Sequence, residues 1–157
     1  MTIKRYDTVL TMVPFFPKGH PDNRITQEVA ANAYATEQGK YRPCVILGQD
    51  KKDKDILLAQ IRTDLNDTWP PRTIIKDWDE QHAKLLHQSA ILTSALDIVR
   101  VPIERADQLH HLGHLSHNDI KAYESAFYKE NSKYHAPQNH KQHAITKQEH
   151  KDVQLEL

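Results

Sequence analysis

The stretch Thr36–Thr63, TEQGKYRPCVILGQDKKDKDILLAQIRT, contains two apolar runs either side of a charged interval. RPCVILG, from Arg42 to Gly48, reads as a buried strand and ILLAQI, ending near Thr63, as another, with QDKKDKD as the turn of a hairpin. Before them, YDTVLTMV from Tyr6 to Val13 is a β-branched run that stops at Pro14, where a strand loses an amide donor. The prolines and glycine of FFPKGHPDNR forbid regular structure, and the alanines of ITQEVAANAYATEQ favour a short helix capped at Gly39. After the hairpin, RTIIKD (Arg72 to Asp77, entered through Pro70 and Pro71), SAILTS from Ser89 and DIVRVPI from Asp97 supply three more strands. WDEQHAKLLHQ between them admits a helical turn or a loop. Many short strands without alternating long helices point to an antiparallel barrel or sandwich. Near the end, SHNDIKAYESAFYKE places a capping box at Ser116 and Asp119, and sets Ile120, Tyr123 and Phe127 on one helical face.

A chain of 157 residues, 38% hydrophobic, is long enough for one core. The expected organisation is one domain over residues 1–131 and a polar His/Lys/Gln-rich tail, 132–157, too poor in aromatics to order itself. Lys plus Arg equals Asp plus Glu at 21 each, so attraction for nucleic acid requires a local patch, for which Lys18, Arg24, Lys40, Arg42, Arg62 and Arg72 are the candidates. Cys44 is the sole cysteine, which permits no internal disulfide and fits a reducing compartment; in its apolar run it reads as a small buried hydrophobe. No run reaches the roughly 18 apolar residues of a membrane span, and the N-terminus lacks the apolar core of a signal peptide, so a cytoplasmic protein is expected.

Three sets of residues invite chemistry. Glu37 and Arg42 flank a turn feeding a buried strand: a guanidinium fixed there can fork onto phosphate oxygens, and a nearby carboxylate can take a proton, although an Arg before Pro is more commonly a solvated strand entrance. HHLGHLSH, from His110 to His117, suggests metal ligation, but its spacing matches neither a zinc finger nor an HExxH helix, and solvated turn histidines are the expectation. Phe15, Phe16, Tyr34, Trp69 and Trp78 lie on or beside loops, where aromatics either stack on unpaired bases or pack on the core.

Thr36, Glu37, Gln38 and Gly39, then Arg42, Pro43 and Val45, followed by Ile61, Arg62 and Thr63, by Ser89, Ile91 and Leu92, and by Gly113, Leu115 and Ser116, occur in the order of a known pattern. Over roughly Tyr6 to Lys129 the chain resembles the MazF/PemK/Kid toxins of bacterial toxin-antitoxin pairs. That resemblance implies a mainly β, SH3-like (MazF/CcdB-type) antiparallel barrel with a C-terminal helix, working as a homodimer. It implies a metal-independent endoribonuclease without cofactor, cleaving single-stranded mRNA to 2′,3′-cyclic phosphate and 5′-hydroxyl ends and silenced by a cognate antitoxin. Arg42 and Thr63 inherit the catalytic roles by position, with Glu37 as a third candidate. Thr36, Gln38, Lys40, Arg62 and Ser89 are then expected to contact RNA. Where the family has a Thr/Ser pair this chain has Arg62-Thr63, so a slip of one residue makes Arg62 the functional group. The stretch from Pro14 to Gly39 is longer than the family's usual loop. A barrel of the same fold can also act without catalysis, as a CcdB-like gyrase poison or a regulatory RNA or protein binder.

Overall fold

The computed structural model describes residues 3–15 and 23–132. Of the expected tail, 132–157, Ser132 belongs to the last helix and the rest, like Phe16 and Lys18, lies outside the described residues. The hairpin forms as expected but is longer at its start: β2 runs Gly39–Asp50 and pairs antiparallel with β3, Asp55–Arg62, with a bulge between Ile46 and Gly48. β1, Asp7–Pro14, lies against the other side of β2. β4 (Arg72–Ile74), β5 (Ala90–Leu92) and β6 (Ile98–Pro102) are the three expected later strands, each shorter than its apolar run, and β5 and β6 both pair with β3. The interval between β4 and β5 is a turn-rich loop.

The result is a mainly antiparallel sheet with a C-terminal helix, ordered β4-β5-β3-β2-β1 and ending on β7 (His110–His114). It curls like a barrel, but among the described residues no ladder joins β4 to β7, so the closure implied by a barrel is incomplete. β7 replaces the turn expected at HHLGHLSH with a strand, while His110, His111, His114 and His117 stay exposed as expected. Pairing decides it: the buried carboxylate of Asp7 on β1 takes His114 Nδ1 at 2.8 Å and faces His111 Nε2 at 3.4 Å. Thr8 Oγ1 meanwhile accepts from the Gly113 N–H at 2.9 Å and donates to the Ala83 carbonyl at 2.7 Å.

β2 and β3 read as unbroken apolar runs because they are buried on both faces. Val45, Leu47, Leu57, Ala59 and Ile61 join one core with Tyr123 and Phe127 of α2, His117–Ser132. Cys44, Ile46, Ile56 and Leu58 join a second, covered by Ile25 and by Ala30 and Ala33 of α1, Gln27–Thr36. The stripe expected of the last helix is thus in place, Tyr123 and Phe127 buried and Ile120 packed beside them.

Gly39 is not the helix cap. Glu37 takes that position in the left-handed region (φ 57°, ψ 30°), its N–H returning to the carbonyls of Ala33 and Tyr34. Gly39 instead opens β2, where a Cβ would lie 2.8 Å from the Val13 carbonyl oxygen and 2.9 Å from Pro14 Cα.

The capping box is half realised. The Asp119 N–H donates to Ser116 Oγ at 3.2 Å, and the buried Asp119 carboxylate accepts from the Ser116 hydroxyl at 3.2 Å, but instead of the backbone N–H of Ser116 it takes those of Lys76 at 2.9 Å and of Asp77 at 2.8 Å. One carboxylate therefore fastens α2 to the segment after β4. Asp119→Ala strands two amide donors and is expected to destabilise the fold by about 2–4 kcal/mol, charge-assisted bonds being the stronger class. Urea denaturation measures this, and a loss under 1 kcal/mol would mean that water replaces the carboxylate without penalty.

Candidate functional site

From the Cys44–Gln60 pair of the hairpin, two residues back along β2 stands Arg42 and two forward along β3 stands Arg62. With a side-chain period of two, all four share one face of the sheet. Arg42 also faces Thr11 of β1 across the ladder. The two guanidiniums sense each other: burial and then the charge of Arg62 lower the Arg42 pKa, while burial, offset by Asp97 and reinforced by Arg72, lowers that of Arg62. Arginine stays protonated under such shifts, so the strand ends carry two positive charges, of which Arg62 is partly offset by Asp97. Among the described residues no hydrogen bond or ion pair engages the Arg42 guanidinium.

Arg62 is better held. Its Nη2 donates to Gln60 Oε1 at 3.0 Å, while Gln60 Nε2 donates to the Asp97 carbonyl at 3.0 Å. Gln60 thus fixes the guanidinium against the start of β6. Arg72 is tied to backbone, giving its Nε to the Pro70 carbonyl at 3.0 Å and its Nη1 to the Asp64 carbonyl at 2.6 Å. The Asp97 carboxyl stands beside these charges, raised above the ordinary carboxylate range because burial outweighs the pull of Arg62 and Arg72. Fully buried, Cys44 has its thiol pushed up to about 12, which makes it an inert part of the core as expected.

The structure brings Arg42 and Arg62 together and separates several other candidates from them. Glu37 caps α1, exposed, beyond Gly39, which is itself three residues or roughly 10 Å along the strand from Arg42. Thr36 is exposed in the last turn of α1 and spends its hydroxyl on the Asn32 carbonyl at 2.7 Å. Gln38 and Lys40 are exposed at the mouth of β2. Thr63 is exposed immediately past the end of β3. Ser89 does not face solvent: it is 2% exposed and its hydroxyl donates to the His87 carbonyl, so it serves the loop. Arg24 leaves the expected phosphate patch as well, bonding Asp55 at the opposite end of β3. Of the aromatics, Phe15, Tyr34 and Trp69 are exposed, whereas Trp78 packs on the core.

Asp97 and Gln60 escaped the sequence reading. Neither lies in a recognisable motif; Gln60 sits two residues before Arg62 on β3, and the pairing of β6 with β3 carries Asp97 to it. Metal-ligand geometry of a loose kind occurs elsewhere, at Asp77, Asp79 and His82, whose ligand atoms lie within 4.8 Å of one another on the loop after β4. There the hydrogen bond that His82 gives to the Asp79 carboxylate, chiefly, raises the His82 pKa. Among the described residues no helix is long and apolar enough to cross a membrane.

The family model described as PemK-like, MazF-like toxin of type II toxin-antitoxin system matches residues 26–129, from the cap of α1 into the last turns of α2. No curated protein matches the chain.

Proposed function

The chain belongs to the PemK-like, MazF-like toxins of type II toxin-antitoxin systems, and from that premise we propose that it is an endoribonuclease cutting single-stranded mRNA by metal-independent transesterification. The observation carrying this reading is the juxtaposition of two arginines at one end of the hairpin, Arg42 without an ion pair among the described residues and Arg62 near the carboxyl of Asp97, whose pKa is raised. In the reaction the 2′-hydroxyl oxygen bonds to its own 3′ phosphorus as the bond from phosphorus to the 5′ oxygen breaks. Arg42 and Arg62 meet the non-bridging oxygens as charge gathers there, which is where preorganised donors contribute most. Ionised Asp97 takes the 2′ proton, water supplies the proton to the departing 5′ oxygen, and a cyclic phosphate and a free 5′-hydroxyl result. Thr63, exposed just past the end of β3, is on this reading a further contact to the RNA backbone. Lys40 and Gln38 continue the RNA path along the strand mouth.

A type II toxin implies a protein antitoxin, and we infer that this partner covers the same cationic face, on a homodimer in the cytoplasm.

Incubation of the purified protein with single-stranded RNA in EDTA tests the activity: fragments ending in 2′,3′-cyclic phosphate support it. Intact RNA combined with arrested replication would instead indicate a gyrase poison on the same fold. The role of Asp97 has its own signature. A base must be ionised, so cleavage is lost as pH falls through its raised value, above the 3.8 of an ordinary aspartate. Asp97→Asn should remove that acidic limb and cost on the order of 10²-fold in rate; a limb that survives the substitution belongs to another group.

A further inference from the structure

α1 and the edge of β1 enclose a groove of about 280 Å³ beside the cationic site. It exists because β7 pairs with β1 only as far as Leu10, so from Thr11 onward β1 is laddered, among the described residues, to β2 alone. Gln27, Ala31 and Tyr34, one helical stripe of α1, form one wall, and Tyr41 and Gln108 complete it. Thr11, in its lining, is the cross-strand partner of Arg42, and Tyr41 is the neighbour of Arg42 along β2.

We propose that this groove takes one unpaired nucleobase of the single-stranded RNA, flanking the scissile phosphate, and sets the sequence preference of cleavage. The proposal rests on the nuclease reading for its substrate and adds the place where a base is read. Its volume falls just under the roughly 300 Å³ at which small-molecule pockets begin, which is room for one base-sized group. Tyr34 and Tyr41, 69% and 54% exposed, line the groove next to the arginines proposed to bind phosphate, and exposed aromatic rings are what unpaired bases stack on. Two glutamine amides, from Gln27 and Gln108, each offer a donor and an acceptor suited to a base edge. Arg105 is held against the groove by bonds from its Nη1 to the carbonyls of Ile25 at 2.7 Å and Thr26 at 3.4 Å, giving the wall a fixed positive charge.

The test is binding of four 2′-O-methyl RNA dodecamers, each enriched in one base, to the wild-type protein and to Tyr34→Ala and Ala31→Trp, followed by fluorescence anisotropy. These oligomers lack the attacking hydroxyl, so binding is measured whether or not the protein cleaves RNA, and loss of the nuclease reading is recorded separately in the EDTA assay. Both positions are exposed, so the variants retain the fold. The wild type should prefer one oligomer. Each variant should weaken that oligomer about tenfold, as expected for one lost base stack, and bring it level with the others. A preference unchanged by both variants leaves the groove to a protein partner and overturns the proposal. So does an equal loss on all four oligomers, or a wild type that binds the four alike or none.

Discussion

Arg42→Ala should reduce RNA cleavage by at least about 10²–10³-fold, the effect of deleting one preorganised donor at a phosphate, while the melting temperature stays within about 2 °C of wild type. The two halves of that expectation have different origins. The activity loss follows because Arg42 stands beside Arg62 with no bond to any described residue, so its charge is reserved for something outside the fold. The unchanged stability follows because a guanidinium crowded by a second one contributes nothing favourable when empty; burial and the Arg62 charge both disfavour its charged form. Arg42→Lys should recover part of the binding but little of the rate, since an ammonium restores charge without the planar fork. Cleavage by purified Arg42→Ala within tenfold of wild type, alongside a normal thermal melt, would remove Arg42 from the reaction and leave Arg62 and Arg72 to be tested in its place.

Gly113→Ala carries the largest expected effect on stability. The added Cβ would sit 2.2 Å from the His82 carbonyl oxygen and 3.0 Å from the carbonyl carbon of Ala83, both backbone atoms with no rotamer through which to yield. The His82 carbonyl is also the acceptor of the His114 N–H at 2.9 Å, and the Ala83 carbonyl that of Thr8 Oγ1. Pushing the loop away therefore breaks the bonds that hold it to β1 and β7. We expect a loss of about 3 kcal/mol or more, or roughly 10 °C in melting temperature. Scanning calorimetry decides it, and a shift under about 2 °C would show that the loop and β7 do not approach so closely. The folded fraction of this variant should keep its cleavage rate, because Gly113 is paired with Thr8 and Arg42 with Thr11, further along β1.

Periodicity and composition made the hairpin, β1, both helices and the strand-rich class legible, because burial on one or two faces writes itself locally as apolar runs. β7 stayed hidden for the converse reason. HHLGH has little apolar content to announce a strand; it is held by a buried aspartate, by a threonine hydroxyl and by the backbone of β1, all remote in sequence. Sequence points to Gly39 as the cap of α1 because glycine is the usual left-handed residue, whereas in the structure the glycine is required by close approach to β1 and Glu37 adopts the left-handed conformation.

The candidate site divides along the same line. Arg42 was readable because a strand entrance and a family motif coincide there, and the Arg62-Thr63 pair was visible as an ambiguity. That Arg62 is the partner of Arg42, that Asp97 stands by, and that Ser89 is buried were decided by the folding of segments far apart in the chain against one another. Local sequence determined which segments form strands and helices, since each buries its own pattern. Which side chains meet was settled only by long-range pairing, because a register shift of a single residue would have turned Arg42 to the opposite face of the sheet.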